Sequence, residues 1–112
     1  MEKTYNKLVR DNIVDMYRAN NEKPIFRVLS LDEYKIELIK KLGTELLEVR
    51  LANNDKELTL ELADILEIVL SLNKCIGNTE KELMDIRESK LKERGGFDKR
   101  IYLEKIITKD DN

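Results

Sequence analysis

The chain has 112 residues, 41% of them apolar and 39% charged, with a formal net charge of −2 and no histidine. A charged share well above the usual quarter or so, with 5% aromatics and no Trp, points to helices with charged outer faces around the one core that a chain of this length can build, in a single domain spanning 1–112. The small net charge excludes a global basic field for a nucleic-acid polymer or an anionic membrane, and the lack of His excludes Ser-His and Cys-His nucleophile pairs and the usual zinc sites.

The N-terminus, Met1-Glu-Lys-Thr-Tyr-Asn, has no apolar signal core, and no apolar run reaches the roughly 20 residues of a membrane span. Residues 7–20 read as a first helix with Leu8, Val9, Ile13 and Met16 on one side, ended by Asn20-Asn21 and Pro24. Ile25 to Leu29 is short and partly alternating, which allows a brief strand. Ser30 followed by Glu33 is a capping box that opens a second helix over 31–52. Its apolar arc holds Leu31, Tyr34, Leu38, Leu42, Leu46 and Val49, with Glu45 inside it. Asn54 with Glu57 opens a third helix over 56–76, apolar nearly all round and so expected to be the most buried. Cys75 sits near its apolar arc, forms no disulfide framework and fits a reducing cytoplasm. Gly77-Asn78 stops that helix, and Thr79 with Glu82 opens a fourth over 80–93. Arg94-Gly-Gly-Phe97 breaks it, Arg100 to Ile107 alternates partly, and Lys109 to Asn112 should fray. The pattern predicts an all-α fold, a four-helix core with antiparallel central helices, and allows a short two-stranded β addition pairing 25–29 with 100–106.

The chemistry concentrates in Glu45-Leu-Leu-Glu48 and, twelve residues on, Glu61-Leu-Ala-Asp64. Counted from the turn at Asn54–Asp55, Glu48 and Glu61 are equally far out, as are Glu45 and Asp64. With a rise of about 1.5 Å per residue, the two pairs meet at one height across an antiparallel helix pair. Ionised carboxylates among apolar neighbours must be paired, hydrogen-bonded, metal-bound or protonated. A hard divalent cation, Mg²⁺ or Mn²⁺, suits an all-carboxylate set. The plainer alternative is that these acids pair with Lys41, Arg50 or Lys56, or line a solvated helix edge. Candidate phosphate-binding cations are Lys7 with Arg10, and Lys90 with Arg94 at i,i+4.

Taken together, Tyr5-Asn-Lys-Leu-Val-Arg-Asp-Asn-Ile13, the ExxE-x12-ExxD pair and Lys90-x3-Arg94-Gly-Gly-Phe97 resemble the all-α NTP pyrophosphatase superfamily. That group includes MazG-like proteins, dimeric dUTPases and phosphoribosyl-ATP pyrophosphohydrolase, and the resemblance is strongest to small house-cleaning members with a KLVRD start. It implies an oligomerising helical core, a homodimer or tetramer, with Mg²⁺ held by Glu45, Glu48, Glu61 and Asp64. It also implies cleavage of a nucleoside triphosphate to monophosphate and pyrophosphate, with Lys90 and Arg94 as the basic pair and Lys7 and Arg10 matching the KLVRD start. Val14 departs from the Pro that similar chains often carry there. On physical grounds Glu45 or Glu48 would orient the attacking water, and Lys90 and Arg94 would stabilise charge on the leaving pyrophosphate. Two other readings stand beside this one: phosphoribosyl-ATP as the substrate, and a non-enzymatic helical interaction module whose acids are salt-bridged.

Overall fold

The computed structural model describes residues 1–110 and is all-α among them. Its helices are α1 (Ile13–Ala19), α2 (Leu31–Leu51), α3 (Asp55–Cys75) and α4 (Glu80–Arg94). The fraying expected from Lys109 onward falls partly on 111–112, outside the described residues. The chain divides into two compact units, Met1–Glu80 and Lys81–Asn112.

In the first unit, α2 and α3 fold back on one another across residues 52–54 and pack together. Both ends of that connection follow from local chemistry. Ala52 turns out of α2 with φ −60° and ψ 131°. Asn54 then caps α3, its Oδ1 accepting from the Glu57 backbone N–H at 2.9 Å, while Glu57 Oε2 accepts from the Asn53 N–H at 2.9 Å. The reach back to Asn53, one residue before the cap, is a displaced form of the reciprocal capping box. At the other end of α2, Ser30 Oγ accepts from the Glu33 N–H at 3.2 Å and donates to Glu33 Oε1, also at 3.2 Å. Arg27 closes on the same carboxylate, Nη2 to Oε2 at 2.8 Å.

The packed pair meets at Leu38 and Ile68, 4% and 5% exposed. As expected, α3 holds more buried positions than any other helix, Ile68 and Asn73, although Leu60, Leu62 and Leu66 each keep more than half of their surface. A single neighbouring helix covers one stripe, and the leucines on the remaining arc stay outside it. Asn73 is the buried polar residue. Its Nδ2 donates to the Thr79 carbonyl at 3.1 Å and its own carbonyl accepts from the Asn78 N–H at 3.1 Å. The second of these bonds and Gly77 N–H to the Lys74 carbonyl at 3.0 Å form a Schellman stop on α3. Gly77 takes the left-handed φ of +92° that this stop needs and that glycine adopts without strain.

The first helix is shorter than its pattern. Residues 7–12 do not join α1, which begins at Ile13. Asn6 sits at φ +45°, and the following segment is drawn onto α2 and α3 by a Lys41 Nζ bond to the Leu8 carbonyl at 3.2 Å and by an Arg10–Asp64 ion pair. Tertiary contacts therefore override the helical periodicity. The C-terminal end falls as expected: Asn21, at φ +60°, and Glu22 donate to the carbonyls of Arg18 and Tyr17, a second Schellman stop with Asn in the left-handed position.

In the second unit, α4 ends where Gly95, at φ +80°, donates to the Leu91 carbonyl at 2.9 Å. The optional β addition is not formed: 25–29 and 100–106 contain no strand. Arg100 takes φ +56° with its N–H bonded to the Phe97 carbonyl at 3.0 Å, so the alternating run starts in a turn rather than in extended backbone. An isolated two-stranded ribbon is in any case marginal in water.

Candidate metal centre

The α2–α3 hairpin brings Glu45 from one helix together with Glu61 and Asp64 from the other. One carboxylate oxygen from each lies within 4.8 Å of the others, and all three side chains are partly buried. The spacing about the turn sets Glu45 opposite Asp64 and Glu48 opposite Glu61; Glu45 does meet Asp64, and Glu61 joins that pair without Glu48. Glu61 and Asp64, three apart, present one face of α3, and Glu45 faces them across the packed seam. Glu48 is more exposed and stands outside the trio, although it lines the same cleft.

The cleft has a volume of about 490 Å³. It is lined by the acid group, by Asn6, Lys7 and Leu8 from the N-terminal segment and by Glu37, Lys40, Lys41 and Thr44 from α2, with Lys40 Nζ bonded to Glu37 Oε1 at 3.3 Å. The electrostatics show crowding. A carboxyl–carboxyl hydrogen bond with Glu45, then burial, then the charges of Glu45, Asp64 and Glu48 push the Glu61 carboxyl above the usual carboxylate range.

One acid is neutralised from within the chain. Arg10 Nη2 donates to Asp64 Oδ1 at 2.7 Å, with both side chains still substantially exposed, 57% and 41%. The alternative pairing of these acids with Lys41 is not the one adopted: Lys41 turns to the Leu8 carbonyl. Lys7 lines the cleft, with its ammonium 5.4 Å from the centre of the Tyr5 ring. Lys90 and Arg94 stand on α4 in the second unit, whereas the cleft is built from the first. Of the residues singled out by sequence, then, Glu45, Glu61, Asp64 and Arg10 are brought together, with Glu48 and Lys7 around them.

Glu37, Lys40 and Thr44 line the cleft although the sequence does not single them out, whereas it offers Lys41 as an ion-pair partner of the acids. Lys41 precedes Glu45 by four positions and Glu37 precedes Lys41 by four, so an i,i+4 reading outward from Glu45 finds both on one face of α2. The role of Lys41 as an anchor for the N-terminal segment depends on a contact 33 residues away in sequence and had no local signal.

The donor set fits a hard divalent cation. All three groups are carboxylates, without nitrogen or sulfur, the combination that suits Mg²⁺ or Mn²⁺. Three ligands on one octahedral Mg²⁺ form at least two neighbouring pairs about 3 Å apart and at most one opposite pair about 4.2 Å apart, so the trio, now within 4.8 Å, would draw together on an ion.

Comparison with known proteins assigns no class. No protein-family model matches the chain, and no solved structure matches it. A protein of Mycolicibacterium smegmatis, described only as uncharacterized, is 45% identical over 47 residues, covering 42% of this chain and 48% of that protein. The chain thus spans about half the length of the curated relative it matches.

Proposed function

We propose that this chain is a Mg²⁺-dependent nucleoside triphosphate pyrophosphohydrolase, releasing a nucleoside monophosphate and pyrophosphate. The reading includes a house-cleaning role on canonical or modified nucleotides in the cytoplasm, with phosphoribosyl-ATP as the alternative substrate. The observation that carries it is the convergence of Glu45, Glu61 and Asp64 in a cleft that Lys7, Lys40 and Lys41 also line. Carboxylates that can hold a cation, beside ammonium groups that can meet phosphates, are the combination that a metal–polyphosphate complex requires. The motif resemblance supplies the substrate class.

Glu45, Glu61 and Asp64 would hold the cation, with Mn²⁺ able to replace Mg²⁺. When bound, the cation neutralises phosphate oxygens and acidifies water. Glu48, at the edge of the trio, and Glu45 are the candidates to orient a water towards the α-phosphorus and accept its proton. The new bond joins the water oxygen to that phosphorus, and the α–β bridging P–O bond breaks, sending its electrons to pyrophosphate. The ammonium groups of Lys7 and Lys40 would steady the triphosphate, since cations placed where negative charge develops favour phosphoryl transfer. Lys90→Ala and Arg94→Ala test whether the second unit contributes to turnover.

The same reading takes the protein to be a homodimer or tetramer. Its support is the more than half-exposed Leu46, Leu47, Leu60, Leu62 and Leu66 on α2 and α3, an apolar surface beyond the scattered residues normal for a monomer. No membrane partner is part of this reading, and no helix among the described residues is long and apolar enough to cross a membrane.

The deciding assay is pyrophosphate release from a panel of canonical and modified triphosphates and phosphoribosyl-ATP with Mg²⁺, alongside melting with and without the metal. Turnover on one of them, lost with EDTA, is expected. The Arg10–Asp64 ion pair favours a second reading, a helical interaction module with salt-bridged acids. No turnover on the whole panel and no Mg²⁺-dependent shift in melting would leave that one standing.

A further inference from the structure

We propose that Arg10 is a built-in counter-ion that a divalent cation displaces from Asp64, so that metal loading releases the guanidinium to take a phosphate of the incoming substrate. The proposal rests on the metal-site reading above and adds to it an order of events: metal first, then Arg10, then nucleotide.

Three features of the N-terminal segment carry it. Arg10 occupies one of the three carboxylates that would ligate the ion, at 2.7 Å. A carboxylate oxygen donated to a metal and one accepting from a guanidinium compete for the same negative charge, and the two cations repel one another at such range. The pair is also shallow. With the Arg10 and Asp64 side chains 57% and 41% exposed, it opens at small cost, as exposed ion pairs do. Third, the release is confined. Lys41 Nζ holds the Leu8 carbonyl at 3.2 Å, two residues before Arg10, and Asn6, Lys7 and Leu8 line the cleft. A freed guanidinium therefore remains tethered beside the cleft. Its planar fork matches phosphate oxygens in a way a lysine does not.

The test uses the full chain and Mn²⁺ or Mg²⁺ alone as probe, with calorimetric titration of wild type, Arg10→Gln and Arg10→Lys. An Arg27→Gln control removes the same charge from the unrelated Glu33 pair. Arg10→Gln is expected to bind metal about fivefold more tightly than wild type, the scale of one partly exposed competing charge. Arg10→Lys, which keeps the charge, and Arg27→Gln are expected to stay near wild type. Metal should also speed amide hydrogen exchange over residues 9–11 in wild type and have little effect there in Arg10→Gln. In turnover, Arg10→Lys should raise KM more than it lowers kcat, since a point charge replaces a fork. If wild type binds metal and Arg10→Gln binds it equally or more weakly, with exchange over 9–11 unmoved, the displacement idea is overturned while the metal site survives. If wild type binds no metal, the site reading itself fails and takes this inference with it.

Discussion

Glu33 at the start of α2 and Glu61 in the middle of α3 are the same acid in opposite circumstances. Around Glu33 the chain has answered the charge locally. The hydrogen bond from Arg27 and its positive charge, with the Ser30 hydroxyl and Ser30 backbone, hold the Glu33 carboxyl below its usual range. Every one of those groups lies within six residues of it in sequence. Around Glu61 the neighbours are Glu45, Asp64 and Glu48, and they push its carboxyl the other way. One glutamate completes a helix start. The other is left in a repulsive group that a fold built for stability alone would not assemble, which is the physical reason to look there for a ligand.

The sharpest way to break this contrast is Glu61→Gln. If the acid group holds a cation, the substitution should lower metal affinity and turnover by at least the roughly 10–100-fold that loss of a mere outer-shell partner costs. The metal-free protein should melt higher, because one member of a repulsive set has become neutral. Calorimetric metal titration and paired melts with and without Mg²⁺ read both effects. A metal-free Glu61→Gln protein that melts lower than wild type would show that the Glu61 carboxyl is structural.

On the Glu33 side the expected effect is smaller and of one sign. Ser30→Ala removes the side-chain acceptor of the Glu33 N–H and should cost about 1 kcal/mol of folding stability, with or without metal. Chemical denaturation in both conditions checks it. A cost that appears only with metal would tie the helix start to the site and erase the distinction.

How much of this was readable in the sequence follows the same division. The caps at Ser30 and Asn54 and the stops at Asn21 and Gly77 act within a few residues, so their residue types announce them. The meeting of Glu45 with Asp64 was also legible, because the turn at Asn54 sets the register and helix rise does the rest, whereas Glu48, placed opposite Glu61 by the same count, stands outside the trio. What the periodicity concealed was the fate of Lys7 to Arg10. Their spacing continues the helical pattern of Ile13 and Met16, yet Lys41 and Asp64 pull them onto the hairpin, contacts 33 and 54 residues distant. The composition of α3 rightly marks it as the most buried helix, but does not show that Leu60, Leu62 and Leu66 stay more than half exposed.

Asp64→Asn sharpens the comparison inside the acid group itself. Unlike Glu61, Asp64 already has a cation, so neutralising it gives up the Arg10 ion pair as well as repulsion. The metal-free protein should gain less in melting temperature than Glu61→Gln, or lose slightly. Adding salt should shrink whatever difference remains, since the pair is exposed and screened. Melts of the two variants at low and high ionic strength compare them directly. Equal gains in both variants would mean that Arg10 contributes nothing to the metal-free state.

The weakest effect, and the one that sets the two glutamates against each other in a single experiment, is the pH dependence of the metal-free protein. An unfolded glutamate titrates near pH 4.3. Glu33 titrates lower when folded, so in the window below about pH 4.3 the unfolded chain binds the extra proton and stability rises with pH. The stabilisation is complete above that value and is lost as pH falls through the folded pKa. Glu61 titrates higher when folded, so from about pH 4.3 upward the folded chain holds a proton the unfolded chain has released, and stability falls with pH until the folded pKa is passed. The two contributions slope oppositely on either side of the ordinary glutamate value. Glu33→Gln should therefore flatten the acid limb of a stability–pH curve and leave the limb above it, while Glu61→Gln should do the reverse. Saturating Mg²⁺ should remove the Glu61 limb in wild type, since an ion on that carboxylate takes the place of the proton. If the limb above pH 4.3 survives in Glu61→Gln, the repulsion at the acid group resides elsewhere than in the Glu45–Glu61 pair.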